Sequence, residues 1–407
     1  MLRVAHVLRK YDPSEWGGTE THVVAISEHL AANGVASEIH APRGPRAPDR
    51  ALPATVPLRR FHAFAPFLGD AAQRRALWQN AGNLATLDEP VRLIADRGLA
   101  LAHLHTAGRI GGAVRTAMRL TGRPYLVSIH GPRLSAPDVL GADTARRLRG
   151  LVDLGRPLGA LLGARRVLSD AARVLCFNRD ELVALQGVVG DRAVQMDHGV
   201  DRTRLASGDV ARARARWPAL VGPVVLLIGR LCAQKNQRLA VAAIARVPDA
   251  RLVLAGAATD AGYREQIEAD AAAAGVADRV HLLGNLSPTD IPDLLALASL
   301  VIVPSTHEAF GLAVLEAWAA NRTVVFAGHS GLAELGRAFG HDPPAIRDAT
   351  PAAWAAAIRT RLEDRGRRDA EAEVGARLVA ARYAWPRIAA QLASLYAEVL
   401  AEPRRAA

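Results

Sequence analysis

The chain of 407 residues has only two cysteines, Cys176 and Cys232, and aromatic residues make up only 4% of it. Two thiols cannot build a disulfide framework, and they fit a reducing cytoplasm. So few aromatic rings leave little for stacking nucleic-acid bases, and no nucleic-acid-binding motif is present. G-x-G-x-x-G and G-x-x-x-x-G-K-[ST] are both absent, which argues against nicotinamide, flavin and P-loop binding. D-x-D is absent as well, and the histidines show no metal-ligand spacing, so no carboxylate pair is evident to hold a diphosphate through Mg²⁺ or Mn²⁺. No apolar run reaches the roughly 20 residues a membrane span requires. The opening MLRVAHVL is interrupted by Arg9-Lys10 too early for a signal peptide. There is no internal repeat and no low-complexity tract.

What the chain does have is an apolar half and a net charge of +11. The first indicates a folded protein long enough for two domains. The second favours anionic partners such as nucleotide sugars or anionic lipid surfaces. Short apolar runs alternate with helical patterns, the signature of parallel sheets with crossover helices. Strands are expected at Leu2–Leu8, Val35–His40, Leu99–His103, Tyr125–Ile129, Arg173–Phe177 and Ala193–Asp197. A second series is expected at Val224–Ile228, Arg251–Ala255, Arg279–Leu283, Leu300–Val303 and Thr323–Phe326. Gly17–Asn33 reads as a helix ended by Gly34. The polar, strand-free stretch Arg202–Arg216 reads as an interdomain linker. The expectation is an α/β protein of two doubly wound halves with a ligand-binding cleft between them.

Two strand-to-helix junctions in the second half carry charged groups suited to one ligand. GRLCAQKN, at Gly229–Asn236, presents Arg230 and Lys235 just after an apolar strand. A forked guanidinium and a flexible ammonium can clamp a diphosphate from two sides. PSTHEAFGLAVLEAW, at Pro304–Trp318, presents Glu308 on the loop and Glu316 inside the following helix. A carboxylate among apolar helix residues is costly to bury unless it accepts good hydrogen bonds, and a ribose diol supplies two donors. Glu308 and the helix-starting N–H groups of Phe310, Gly311 and Leu312 suit sugar hydroxyls. In the first half, Gly17-Gly18 opens a helix where a phosphate or substrate could approach the backbone, and a plain turn is the alternative. His130 ends a strand beside Gly131, either reaching a ligand or serving structure. His105 and His198 sit similarly, and His22 falls on a helix face. The stretch from Asp143 to Asp170 interleaves Arg146, Arg147, Arg149, Arg156, Arg165 and Arg166 with leucines. It reads as a core-facing helix with a basic solvated face, or as a helix for an anionic membrane surface.

In order along the chain, GGTETHVVAISEHLAANG, VSIHG, VLCFNRDELVAL, HGVD, IGRLCAQKNQ, PSTHEAFGLAVLEAWAA and YAWPRIAAQLASLYAEVL resemble glycosyltransferase family 4. The resemblance implies the GT-B fold, with two Rossmann-like domains, and retaining, metal-independent transfer from a nucleoside-diphosphate sugar. It implies domains at 1–205 and 206–385, with a C-terminal helix in 386–407 packing back on the first. It assigns Arg230 and Lys235 to the diphosphate and Glu316 to the ribose. Leu283-Gly284 falls to the base, and Glu308 with Phe310–Leu312 to the donor sugar. His130 is assigned to the sugar near its reacting carbon, and Gly17-Gly18 to the phosphate and acceptor side. Arg230, Lys235, Glu308 and His130 are the expected catalytic set. No cofactor beyond the co-substrate is implied. The acceptor, a glycan, a lipid-linked sugar or a small molecule, is left to first-domain loops such as Arg43–Pro53 and Arg59–Phe67. The rival readings are a nucleic-acid-binding protein, suggested only by charge, a nucleotide-sugar isomerase on the same fold and a polysaccharide phosphorylase. The last is disfavoured because no pyridoxal lysine is apparent and the chain is short. Two departures from the family pattern stand out: His198 where asparagine is frequent, and Ser330-Gly331-Leu332-Ala333-Glu334 where glycine-glycine-x-proline-glutamate is usual.

Overall fold

The structure, a computed structural model, describes residues 1–12, 17–43, 56–68, 83–131, 152–259, 262–340 and 343–403. The chain forms two compact units: Met1–Gly199 with Trp385–Ala407, and Val200–Ala384.

The first unit contains strands β1 (Leu2–Val7), β2 (Val35–Pro42), β3 (Leu58–Phe61), β4 (Phe67–Leu68), β5 (Leu101–Leu104), β6 (Tyr125–Ser128), β7 (Val152–Asp153), β8 (Arg173–Cys176) and β9 (Ala193–Gln195). Its helices are α1 (Gly18–Leu30), α2 (Asp88–Ala95), α3 (Gly108–Leu120), α4 (Arg156–Leu161) and α5 (Arg179–Val189), together with the final helix of the chain, Trp385–Ala401. Seven strands form a parallel sheet in the order β3-β2-β1-β5-β6-β8-β9, and β4 and β7 form a small antiparallel pair. Val4, Val7, Leu101, Leu104, Leu126 and Val174 are fully buried. Helices cover both faces of such a sheet, so its strands read as continuous apolar runs.

The second unit contains β10 (Val224–Ile228), β11 (Arg251–Ala255), β12 (Val280–Gly284), β13 (Leu300–Val303), β14 (Val324–Ala327) and β15 (Ala345–Ile346). Its helices are α6 (Arg202–Ala206), α7 (Val210–Arg216), α8 (Gln237–Ile244), α9 (Tyr263–Ala273), α10 (Asp290–Leu297), α11 (Leu312–Ala319), α12 (Gly331–Phe339), α13 (Pro351–Glu363) and α14 (Arg365–Arg382). The chain's final helix is therefore α15. The sheet order is β12-β11-β10-β13-β14-β15, parallel throughout. In both sheets the winding direction reverses once: between β1 and β5, and between β10 and β13. Ligands of doubly wound sheets bind outside the strands' C-terminal ends at such a reversal.

The structure corrects three expectations. Residues 202–216 are two helices of the second unit and not a linker. Asp201 and Asp209 cap them through the N–H groups of Arg204 and Arg212. Arg212 and Arg216 then pair with Asp293 and Asp290 on α10. The units accordingly meet at 199/200 and 384/385, ahead of the expected 205/206 and 385/386. Trp385 belongs with the first unit because its ring lies against Gly199, where an added Cβ would come within 2.3 Å of it. The remainder of α15 buries Ile388, Leu392, Leu395, Tyr396 and Val399, one helical stripe facing α1.

The stretch Asp143–Asp170 is no continuous helix across its described part, 152–170. It passes through β7, α4 and a short 3-10 turn at Ala164–Arg166. Gly155, Gly159 and Gly163 punctuate it, and buried Arg109 pulls Asp153 into an ion pair. Arg146, Arg147 and Arg149 lie outside the described residues, as do most of Arg43–Pro53 and Trp16. Within Arg59–Phe67, the residues through Phe61 are strand and not loop.

Candidate functional site

The reversal between β10 and β13 brings the two charged junctions of the second unit together. Gln234 donates its side-chain amide to the His307 carbonyl (2.7 Å), and Thr306 N–H donates to the Gln234 carbonyl (2.9 Å). The Asn236 amide donates to the Pro304 carbonyl (3.3 Å). Across this seam, Lys235 Nζ donates to Glu308 Oε1 in an ion pair. Ser305 Oγ donates to the same carboxylate oxygen (2.7 Å), and the Glu308 N–H donates to Ser330 Oγ (3.0 Å). The Lys235 and Glu308 side chains are only 17% and 11% exposed, so water competes little for this contact.

Arg230 leaves the same loop exposed to solvent, with no side-chain partner among the described residues. The buried Gln237 amide donates to the Arg230 carbonyl (2.8 Å) and fixes the backbone beneath it. Gly311 starts α11 with φ of 98°, and an added Cβ there would meet Leu332 Cδ2 at 2.5 Å, so only glycine fits the turn that aims the helix N-terminus. Glu316, one turn into α11, is partly buried without a hydrogen-bond partner among the described residues. Burial pushes its carboxyl above the usual range, while Arg204 and Lys235 pull it down. Glu316 is therefore within the field of Lys235. Leu283 and Gly284 end β12, two strands from β10, where nothing lies within 4 Å of a Cβ placed on Gly284.

The remaining candidates lie in the first unit. His130 follows β6, stacks on Phe177 with ring centres 5.0 Å apart, and meets His22 of α1 edge-on at 5.2 Å. Gly17 and Gly18 open α1, but the Gly17 N–H is already given to the buried Glu20 carboxylate (3.1 Å). A carboxylate at a helix N-terminus is the local alternative to a bound anion, so a phosphate would have to displace Glu20.

Sequence reasoning missed Ser305, Ser330, Arg204 and Glu20. The signals for two of them were local. Ser305 stands three residues before Glu308, and Glu20 three after Gly17, the spacings of side-chain-to-backbone turns and capping boxes. Ser330 occupies one of the family-departing positions, with φ of 49°, an unusual conformation for a residue other than glycine.

Residues 17–197 match the family of glycosyl transferase 4-like domains, and residues 214–377 match glycosyl transferases group 1. The chain is 30% identical over 409 residues to the D-inositol 3-phosphate glycosyltransferase of Acidothermus cellulolyticus, spanning 96% of this chain and 88% of that one. It is 27% identical over 403 residues to the alpha-D-kanosaminyltransferase of Streptomyces kanamyceticus, spanning 93% and 98%. The crystal structure of Anabaena HepE in complex with UDP and glucose superposes with a TM-score of 0.74 at 18% identity, over 98% of this chain and 100% of that one. Both relatives are named for moving a sugar, so the transferase expectation stands and the isomerase alternative does not. The chain belongs to the family 4 glycosyltransferases of the GT-B fold, and it is a glycosyltransferase.

Proposed function

We propose that this enzyme takes its sugar from a nucleoside-diphosphate sugar, transfers it to a hydroxyl or amine with retention of configuration, and needs no metal. The observation that carries the reading is the Lys235–Glu308 pair beside exposed Arg230, at the reversal of the second sheet. An ammonium has three donors. Lys235 can keep one on Glu308 and turn others to phosphate oxygens, while Arg230 meets the diphosphate from the open side. Glu316 takes the ribose hydroxyls, and the base lies against the backbone at Leu283-Gly284. Glu308 and the N–H groups of Phe310, Gly311 and Leu312 take the sugar. In the first unit, His130 is the proposed sugar contact and Gly17-Gly18 the acceptor-side contact.

Negative charge builds on the leaving β-phosphate oxygen as the glycosidic bond breaks. Fixed cations at that oxygen lower the barrier most, because they stabilise the transition state more than the ground state. The acceptor then attacks from the face the phosphate leaves, and the phosphate oxygen takes the acceptor's proton. The name of the D-inositol 3-phosphate glycosyltransferase favours a small cyclic polyol as acceptor.

Both cysteines are buried and neither is in a disulfide, which supports a cytoplasmic setting. No helix among the described residues is long and apolar enough to cross a membrane. Exposed Leu154 and Leu161 beside Arg156, Arg165 and Arg166 support peripheral contact with an anionic leaflet, which liposome flotation tests. For the main reading, UDP-, GDP- and ADP-sugars are screened in excess chelator, and the anomeric configuration of the product is read by NMR. Turnover that requires added metal, or an inverted product, contradicts it.

A further inference from the structure

Six histidines gather inside the first unit at the C-terminal ends of its strands. His6 lies on β1 in register with His103 on β5, and His105 follows two residues on. His130 follows β6, His198 follows β9, and His22 comes in from α1. Three of the rings form a line. His6 Nδ1 meets His105 Nε2 at 3.1 Å, and His105 Nδ1 meets His130 Nε2 at 2.8 Å. The two end atoms, His6 Nε2 and His130 Nδ1, are buried and have no partner among the described residues.

Burial keeps these rings uncharged. It pushes His6 down to about 3, and it also drives His105 and His130 well below the usual histidine range. A neutral imidazole has one N–H and one lone pair. His105 uses both nitrogens, so it donates to one neighbour and accepts from the other. If it donates to His6, then His130 donates from Nε2 and its Nδ1 is a bare lone pair. If it donates to His130, then the His130 proton sits on Nδ1, and His6 donates from its own Nδ1. The chemical character of His130 Nδ1 is therefore tied to a fully buried ring two links away.

A metal ion explains the group less well. Nitrogens of His6, His103 and His105 lie within 4.8 Å of one another. Yet both nitrogens of His103 are engaged, by Tyr396 Oη (2.6 Å) and Ser128 Oγ (2.8 Å), as are both of His105. The trio also has no carboxylate to offset a buried dication.

We propose that His6 and His105 are positioning residues for His130: the three imidazoles form one directional hydrogen-bond chain whose polarity decides which ring nitrogen of His130 carries its proton. The consequence for catalysis rests on the reading that His130 faces the donor sugar. The chain also gives a role to His6, a buried titratable residue that otherwise has none.

The test uses the full-length protein labelled with ¹⁵N-histidine. In the resting wild type, couplings through the N–H···N bonds should link His6 to His105 and His105 to His130, with His130 in a single tautomer. His6→Phe keeps the ring and removes the nitrogens. It should shift the His130 nitrogen signals and lower kcat about tenfold with donor KM unchanged. His6→Asn, whose amide can replace Nδ1, should restore most of the turnover. The proposal is overturned by a wild type without those couplings, by a folded His6→Phe protein with unchanged His130 signals, or by a stoichiometric transition metal in the purified enzyme. The nitrogen signals are read without substrate. They decide the chain even if no nucleotide sugar is turned over, a result that instead defeats the functional reading.

Discussion

Lys235 and Glu308, 73 positions apart in the chain, form an ion pair in the second unit, with Ser305 holding the same carboxylate oxygen. Lys235 is one of only two lysines in a chain with 51 basic residues. Arginine serves almost everywhere else, so what this position uses is a compact, rotatable point charge and not the planar fork of a guanidinium. Lys235→Ala is expected to lower donor turnover roughly 100- to 1000-fold, the scale seen when one preorganised stabiliser of developing charge is removed. It also strands a largely buried carboxylate with Ser305 as its remaining side-chain partner, costing about 1–3 kcal/mol. Lys235→Arg should recover stability and little turnover. Steady-state kinetics beside thermal melts check both, and near wild-type turnover in Lys235→Ala removes the pair from the mechanism.

Glu316 shows the opposite balance. Burial raises its carboxyl, and no described residue hydrogen-bonds to it, so the fold gains little from that carboxylate. Function and stability should separate there. Glu316→Gln is expected to keep or raise Tm while donor KM rises roughly tenfold, the loss of about one charge-assisted hydrogen bond. A lower Tm with unchanged donor KM would show a structural carboxylate.

Stability should peak near pH 6.5 and decline toward pH 9, from two sets of histidines with opposite signs. Burial opposes charge on His40, but the hydrogen bond to Glu89 (from His40 Nδ1, 2.5 Å) and the Glu38 carboxylate 3.6 Å from Nε2 outweigh it and raise the ring to about 9. A pKa raised in the fold stabilises fully below the unfolded value near 6.5. That contribution, up to about 3 kcal/mol, is lost progressively as pH climbs from 6.5 through 9. His6, His22, His103, His105, His130 and His198 are all lowered by burial. Below pH 6.5 the unfolded chain takes up protons that the fold refuses. Each ring then costs up to about 1.4 kcal/mol per pH unit below 6.5. Urea unfolding from pH 4.5 to 10 should show a steep acid limb and a shallower alkaline one, and His40→Gln should flatten the latter. An alkaline limb unchanged by His40→Gln assigns it to another group.

The parts of this molecule that sequence revealed are those written locally. Val224–Ile228, Arg251–Ala255 and Leu300–Val303 form strands with the expected bounds, because a strand buried on both faces is a plain apolar run between turn residues. The short outer strands β3 and β15 carry no such run; Arg59 and Arg60 interrupt the first. The two site loops were readable singly, through Arg230 and Lys235 in one and Glu308 and Glu316 in the other. That Lys235 touches Glu308 depends on β10 lying beside β13, a property of sheet order that no local spacing encodes. The histidine line is hidden for the same reason. His103-x-His105 at the end of one strand was a local hint, but only parallel register brings His6 and His130 to it.

Gly311 is the residue on which the geometry of the second-unit site turns. Its φ of 98° starts α11 directly after Glu308 and Phe310, and buried Leu332 and Leu335 press against it from α12. An alanine there meets both a forbidden backbone region, worth about 1–3 kcal/mol, and a Cβ 2.5 Å from Leu332 Cδ2. The chain can escape only by rotating the peptide that points the first N–H groups of α11, which moves the Glu308 loop with it. Gly311→Ala should therefore lower Tm by several degrees and turnover by more than tenfold. Pairing it with Leu332→Ala removes the steric contact and leaves the backbone strain. If strain is the dominant cost, the double variant recovers no turnover. Recovery to near wild-type rates would assign the effect to the Leu332 contact and release Gly311 from its role in aiming the helix.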